Sequence, residues 1–194
     1  MKIIGLTGPT RAGKGEVSRI WASLGAKVID CDALYHEMLL SDAPLRAELA
    51  QAFPNCTDES GTIDRRKLAG VVFGSKDDLH TLETIAYRHI RRRISEELDR
   101  FCQDGAEIAV LDAPTLFEAG ADALCDLCAA VLAPVSVRRE RLRVRDGLDD
   151  AAIDARIAAQ KTDAFFRSHC ACILENNAGL DALREAAKAA YLTF

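Results

Sequence analysis

The hydrophobic positions of this chain alternate between short apolar runs and stretches with helical spacing. Residues 2–7 form a short run rich in Ile and Leu, which predicts a buried strand. In residues 14–24 the apolar positions recur with the helical period, which predicts an amphipathic helix that ends at Gly25. Further short apolar runs predict strands at residues 27–29, 107–111, 127–133 and 172–174.

The middle of the chain, residues 36–104, differs because it is mostly helical. Apolar positions from Leu79 to Ile94 mark one face of a long helix, and turn-forming residues interrupt the helical pattern at 55–62. Outside this region strands alternate with helices, which predicts a parallel sheet covered on both faces. We therefore expect an α/β three-layer sandwich with a core at residues 1–35 and 105–194 and a helical insertion at 36–104.

Composition and charge narrow the classes of protein that fit this pattern. The 194 residues carry a net charge of −5, which gives no general attraction to nucleic acid or to an anionic membrane. No apolar run approaches the roughly 20 residues that a membrane span needs. Seven cysteines, an odd number, give no framework of secreted disulfides, so a reducing cytoplasm is the expected location. Basic residues cluster locally, which favours a small anionic ligand.

Residues 8–15 carry the strongest chemical signal in the chain. They match the pattern G-x-x-x-x-G-K between a predicted strand and a predicted helix. Glycines let the backbone curl with its N–H groups inward, the helix start adds positive potential, and the lysine reaches the β and γ phosphates. The segment predicts a P-loop NTPase-like site for the polyphosphate of ATP; the alternative is a glycine-rich turn with an incidental lysine. The candidate phosphate-binding residues are Gly8, Thr10, Arg11, Ala12, Gly13, Lys14 and Gly15.

Two carboxylates are the candidates for holding Mg²⁺. The loop lacks the hydroxyl that usually binds this metal, because Gly15 follows the lysine. Glu16 occupies the next position, from which its carboxylate would reach the metal directly or through water. Asp112 ends the third predicted strand, where a carboxylate can bind Mg²⁺ through water. The alternative for Asp112 is a turn residue before Pro114.

The aspartates Asp30 and Asp32 follow the second predicted strand. Ligands of open α/β sheets bind beyond the carboxyl ends of the strands, where a carboxylate can orient an acceptor hydroxyl and take its proton. The alternative for both aspartates is a helix cap or a turn former. His36 lies one helical turn beyond Asp32 and is expected to face the same acceptor.

An arginine-dense helix is predicted at residues 136–145. Arg138, Arg141 and Arg145 share one face by helical spacing, and the fork of a guanidinium group suits phosphate oxygens. We expect this helix to belong to a lid at residues 136–165 that closes over the phosphates, with Arg141 and Arg145 as its contacts. The alternative is a solvated basic helix face.

Four cysteines form two close pairs, which raises the alternative of a zinc site. Cys125 and Cys128 are one such pair, and Cys170 and Cys172 are the other. Cys128 and Cys172 open apolar runs that predict buried strands. Small buried hydrophobic side chains are therefore the preferred interpretation of these cysteines.

Together these features resemble the dephospho-CoA kinase family over nearly the whole chain. Besides the phosphate loop, the matching segments are Val28-Ile29-Asp30-Cys31-Asp32, Gly61-Thr62-Ile63-Asp64-Arg65-Arg66-Lys67-Leu68 with Val72-Phe73, Asp112-Ala113-Pro114-Thr115-Leu116-Phe117-Glu118, Arg141 with Arg145-Asp146, Arg156 with Gln160, and Asn176-Asn177. The resemblance implies an ATP-dependent kinase that phosphorylates the 3′-hydroxyl of dephospho-CoA, the last step of coenzyme A synthesis.

The resemblance also implies roles for single residues. Lys14 and the loop amides would hold the phosphates of Mg-ATP, and Asp32 would be the base. The helical insertion would bind the acceptor, with Arg65 and His36 near it. Arg141 and Arg145 would be lid contacts, and Asn176 would lie on the adenine side. We expect a monomer or weak homo-oligomer that uses ATP and dephospho-CoA and binds neither nucleic acid nor membrane.

The chain also departs from the family pattern at several positions. Gly15-Glu16 replaces the usual Ser-Thr pair, His36 stands where the family usually has Arg, Tyr87-Arg88 replaces a His-Pro pair, and Thr115 replaces a Leu. These departures keep two alternatives open. One is a related P-loop kinase of another nucleotide or nucleoside, and the other is a degenerate relative that binds nucleotide without catalysis.

Overall fold

The structure is a computed structural model that describes residues 1–58, 62–72 and 74–194. The strands are β1 (Lys2–Thr7), β2 (Lys27–Asp30), β3 (Ile108–Asp112), β4 (Leu127–Leu132) and β5 (Cys172–Glu175). The helices are α1 (Lys14–Ser23), α2 (Cys31–Ser41), α3 (Ala43–Ala52), α4 (Arg65–Val72), α5 (Lys76–Gln103), α6 (Val135–Asp146), α7 (Asp150–Ala158), α8 (Asp163–His169) and α9 (Leu180–Tyr191).

The strands form one sheet in the order β2-β3-β1-β4-β5. β1 runs parallel to β3 and to β4, and β4 runs parallel to β5, so the predicted α/β fold with a parallel sheet is confirmed. β1 lies in the middle of the sheet, and its register pairs Leu6 with Asp112 at the end of β3. The segment that leaves β1 therefore starts beside the end of a neighbouring strand.

One hydrophobic cluster joins the sheet to α1 and α9. Ile4 and Leu6 of β1 are fully buried in it, together with Val17 and Trp21 of α1. The Trp21 indole donates a hydrogen bond from Nε1 to the carbonyl oxygen of Ala187 on α9, at 2.8 Å. This packing fixes the axis of α1, whose first turn begins at the end of the phosphate loop.

The chain divides into two compact units. One unit comprises Met1–Ile29 and Arg100–Phe194, and the other comprises Asp30–Asp99. The sequence predicts the insertion at residues 36–104. In the structure, α2 begins directly after the last residue of β2. The acceptor-binding role of the helical unit remains a prediction.

The helical unit builds its own hydrophobic interior. Met38 of α2, Leu45 and Leu49 of α3 and Ile94 of α5 are each almost completely buried. Part of the predicted turn at 55–62 is a 3₁₀ segment at Pro54–Cys56, followed by a bridge between Thr57 and Ile63. Residues 59–61 of that turn, which include Gly61 of the matched motifs, and Phe73 lie outside the described residues.

Two short helices follow α6 in the chain. α7 ends at Ala158, and a separate helix, α8, begins at Asp163. Thr162 starts the new helix because its hydroxyl accepts a hydrogen bond from the Phe165 N–H at 3.2 Å. In the described part of the chain, no helix combines the length and the apolar character needed to cross a membrane.

Replacing Trp21 with Phe is expected to lower the free energy of unfolding by about 1–3 kcal/mol. The change removes the hydrogen bond to Ala187 and leaves part of a fully buried site unfilled. Urea unfolding followed by circular dichroism measures the difference. Leu192→Ala, at a position that is 83% exposed, is the control and should change the same quantity by less than about 0.5 kcal/mol. Equal stability of wild type and Trp21→Phe would contradict the assigned packing.

Candidate functional site

The loop between β1 and α1 lies tightly against the backbone of β4. Gly8 has φ +137°, and a Cβ atom there would collide with the carbonyl oxygen of Val131. Gly13, the residue before α1, has φ +116°, and Arg11 has φ +60°. These left-handed conformations curl the backbone into the concave shape that binds anions at a helix start. The predicted phosphate loop therefore has the required geometry.

Two side chains donate hydrogen bonds to carbonyl oxygens of this loop. The Arg141 guanidinium reaches the oxygen of Arg11 at 2.8 Å and that of Ala12 at 3.4 Å. The Asn176 amide donates from Nδ2 to the oxygen of Ala12 at 2.7 Å. Arg141, predicted as a lid contact, is thus at the loop, and so is Asn176.

Lys14 forms an ion pair with Asp112. Asp112 is 6% exposed and ends β3, in register with Leu6 of β1, so the sheet itself brings this carboxylate to the start of α1. The structure therefore places together the lysine and the strand-end carboxylate that the sequence suggested separately. A carboxylate at this position, beside a lysine at the end of a strand, is placed where a cation could also bind.

The two predicted metal ligands have different surroundings. Glu16 already accepts from Arg184 at 2.7 Å and pairs with Arg19 at 2.6 Å, and the hydrogen bond from Arg184 lowers the pKa of the Glu16 carboxyl. Mg²⁺ prefers carboxylate oxygens together with phosphate oxygens and water. Among the described residues, Asp112 pairs with Lys14, whereas Glu16 is engaged by two guanidinium groups.

Gly15 leaves open space where other phosphate loops carry a hydroxyl. A Cβ atom at this position would meet no atom within 4 Å. Among the described residues no group of three or more His, Cys, Asp or Glu side chains has metal-binding geometry.

The predicted basic face of α6 divides into residues with different roles. Arg138 is 4% exposed, donates from Nε to Ala133 at 3.1 Å and from Nη1 to Gln160 at 3.3 Å, and burial lowers its pKa. Its Nε and an Nη1 donor are thus engaged inside the protein, and its burial leaves little surface for a phosphate. Arg145 is exposed at the end of the helix.

The remaining arginines of α6 fit the alternative of a solvated basic face. Arg139 pairs with Asp154 and, at 3.4 Å, with Asp150. Arg143 pairs with Asp150 at 2.6 Å and with Glu140 at 2.9 Å. These exposed pairs link α6 to α7 and hold no more than a modest share of the stability.

Two further contacts join the phosphate loop to the predicted lid segment. Arg11 forms an ion pair with Asp146, the last residue of α6. The Gln160 side chain accepts a hydrogen bond from the Thr10 N–H at 3.3 Å. Asp146 and Gln160 matched family motifs in the sequence but had no assigned role. Their contacts with the loop join residues that are 135 and 150 positions apart in the chain, which local sequence patterns do not reveal.

In the helical unit, the structure brings together two predicted acceptor residues. The Arg65 guanidinium lies 2.9 Å from Nε2 of His36. Asp30 caps α2 by accepting a hydrogen bond from the Ala33 N–H at 2.9 Å, so the capping alternative is confirmed for this residue. Asp32 is exposed in the first turn of the same helix, which leaves it the predicted base.

The cysteines of the paired motifs are mostly inside the protein, as interpreted from the sequence. Cys128 and Cys170 are buried, whereas Cys125 and Cys172 are half-buried. Burial raises the pKa of the Cys170 thiol to about 12, and a hydrogen bond from Cys125 lowers the pKa of Cys128. Cys128 and Cys125 also approach Gly5, where an added Cβ would come within 3.4 Å and 3.0 Å of their sulfurs.

Comparisons with known proteins agree with these motifs. The model of the family described as "Dephospho-CoA kinase" matches residues 2–182. A dephospho-CoA kinase from Anaeromyxobacter dehalogenans is 38% identical over 82% of this chain and 76% of its own length. A Thermus thermophilus crystal structure superposes with a TM-score of 0.85 at 33% identity, covering 99% of this chain and 96% of that one. A dephospho-CoA kinase from Campylobacter jejuni, at 22% identity, has a TM-score of 0.67 over 99% of this chain and 96% of its own, which shows a shared fold.

Cys170 is expected to resist alkylation in the folded protein. Because its pKa is raised to about 12, the reactive thiolate is scarce at about pH 8. Iodoacetamide labelling followed by mass spectrometry should modify the exposed Cys102 well before Cys170. In urea the two rates should converge, which is the control. Equally fast labelling of both residues in the native protein would contradict the assigned burial.

Proposed function

Because the chain belongs to the dephospho-CoA kinase family, we propose that it transfers the γ-phosphate of ATP to the 3′-hydroxyl of dephospho-CoA through the residues described above. The family is a family of kinases, and its model matches nearly the whole chain. The observation that supports the donor site best is the curled loop, with its carbonyl oxygens held from outside and Lys14 at its end.

On the donor side, we assign the polyphosphate to the loop and the start of α1. Gly8, Thr10, Arg11, Ala12, Gly13, Lys14 and Gly15 make up this cradle. Lys14 would exchange its ion pair with Asp112 for the β and γ phosphates, which carry more negative charge. Arg141 already lies at the loop, and Arg145 is exposed one turn further along α6, so both can reach a bound phosphate.

On the acceptor side, we assign the base to Asp32. The reaction breaks the bond from the γ-phosphorus to the bridging β–γ oxygen and forms a bond to the 3′-oxygen. The Asp32 carboxylate orients the 3′-hydroxyl and takes its proton late in the transfer. Lys14 and Arg141 stabilise the negative charge that develops on the departing ADP.

Asp112 is the residue that we propose for holding Mg²⁺. Asp112 would hold the metal, which would supply positive charge against the negative charge of the β and γ phosphates. One buried carboxylate together with phosphates and water is a common set of ligands for this ion. Glu16, the second candidate, is engaged by Arg184 and Arg19 and would act at most through water.

His36 and Arg65 are proposed to contact the acceptor. Their side chains lie within hydrogen-bond distance of each other and are exposed, so together they offer a cationic and polar surface in the helical unit. An anionic group of dephospho-CoA is the natural partner of such a surface. Location in the cytoplasm and a monomeric or weakly homo-oligomeric state are parts of the same proposal.

Purified protein incubated with Mg-ATP and dephospho-CoA is expected to form coenzyme A and ADP. Chromatography of the reaction mixture measures both products. Asp32→Asn should lower kcat about 100-fold or more, because the proton acceptor is lost while the shape is kept. Lys14→Ala should cause a loss of similar size through weaker charge stabilisation. Arg139→Gln, which removes only exposed pairs with α7, is the control and should keep its activity.

The outcomes separate the alternatives. If the wild type formed no more coenzyme A than the Asp32→Asn variant, dephospho-CoA would be refuted as the acceptor. A screen of nucleosides and nucleotides would then test whether the protein is a kinase of another acceptor. ATP binding without transfer to any acceptor would point to a degenerate relative.

The dependence on Mg²⁺ is expected to respond more strongly to Asp112→Asn than to Glu16→Gln. The first change removes the proposed ligand, and the second removes a carboxylate that two arginines already hold. Initial rates at saturating ATP, measured over a range of Mg²⁺ concentrations, give the midpoint for each variant. A larger shift for Glu16→Gln would reverse the assignment.

A further inference from the structure

Asn176 occupies a position behind the phosphate loop, directly after β5. Its backbone N–H donates to the carbonyl oxygen of Leu132 at 2.7 Å, which fixes the residue to the end of β4. Its side chain is buried, with 3% of the residue exposed, and Nδ2 donates to Ala12 at 2.7 Å. Asn176 therefore connects the end of β4 to the carbonyl group of Ala12 in the loop.

The same side chain also limits what can stand at Gly13. A Cβ atom there would lie 2.5 Å from Nδ2 of Asn176 and 3.2 Å from Leu183 on α9. The orientation of the amide is set by chemistry, because only its NH₂ end can face a carbonyl oxygen. The other end, Oδ1, is buried and accepts no hydrogen bond from the described residues.

The hydrogen bond to Ala12 controls the direction of a different group. The carbonyl of Ala12 and the N–H of Gly13 belong to one planar trans peptide unit and point in opposite directions. When Asn176 holds the oxygen, the Gly13 N–H must therefore face away from β5. In the described parts of the chain the Gly13 N–H has no acceptor, whereas the Ala12 N–H donates to the carbonyl oxygen of Pro9 at 3.2 Å.

We propose that Asn176 is a positioning residue that aims the Gly13 N–H at the polyphosphate and does not itself contact the nucleotide. The inference rests on the proposed binding of ATP by the loop and replaces the adenine-side contact expected from the family resemblance. A side chain that is 3% exposed, with its donor used on Ala12, has little surface left for a base. An unaimed amide would lose a charge-assisted hydrogen bond to phosphate.

The test compares a ligand that has a base with one that has none. Isothermal titration calorimetry at constant Mg²⁺ measures the affinities of wild type and Asn176→Leu for ATP and for inorganic tripolyphosphate. The variant keeps the size of the side chain and removes the donor, so both affinities should fall by the same factor, about three- to tenfold. Asn176→Asp, which puts an oxygen in place of the donor, should reduce both at least as much.

A matched substitution and a stability measurement keep the test specific. Glu185→Leu, on an exposed face of α9 where Glu185 pairs with Lys188 at 2.9 Å, should leave both affinities unchanged. The thermal midpoint of Asn176→Leu should change little, because the buried Oδ1 without a partner disappears together with the donor. If the Leu variant does not fold, the Asp variant carries the comparison.

The possible results lead to distinct conclusions. An equal loss for ATP and tripolyphosphate supports the aiming role. A loss for ATP alone would assign Asn176 to the base and overturn the inference, and unchanged affinities for both ligands would overturn it as well. If wild type binds neither ligand, the proposed function fails together with this inference.

Discussion

The close contact between Gly8 and the backbone of β4 is the constraint on which the rest of the site depends. The chain leaves β1 so close to the neighbouring strand β4 that a Cβ atom at Gly8 would collide with Val131. From there it must curl through the positive φ values of Arg11 and Gly13 to reach α1. The curl turns carbonyl oxygens outward, where Arg141 and Asn176 donate to them. The Gly13 N–H, which has no acceptor among the described residues, is thereby left for an anion.

Charges around this loop are compensated before any ligand binds. Lys14 is paired with Asp112, Arg11 with Asp146 and Glu16 with Arg184. In the proposed function, a polyphosphate would exchange partners with groups that are already oriented, which would keep the cost of reorganisation low. The pair formed by Lys14 and Asp112 would then separate, with Lys14 turning to phosphate and Asp112 to the metal ion.

In the helical unit, ion pairs between α3 and α5 help to keep the helices packed together. Asp42 caps α3 and also pairs with Arg92 of α5 at 2.5 Å, so one carboxylate joins two helices. Glu48 of α3 pairs with Arg88 and lies 2.8 Å from His89, again on α5. The departure from the family at Arg88 therefore coincides with a contact that holds α3 against α5.

Local patterns in the sequence determined the strands, the phosphate loop and the family, because period, turn chemistry and motif spacing act over a few residues. The tertiary structure decided what the long polar side chains do. Arg138 shares its helix face with Arg141 in the sequence, yet one is buried against Ala133 and the other lies on the loop. Asn176 meets Ala12 across 164 residues of chain. Such roles depend on burial and on partners that only folding brings together.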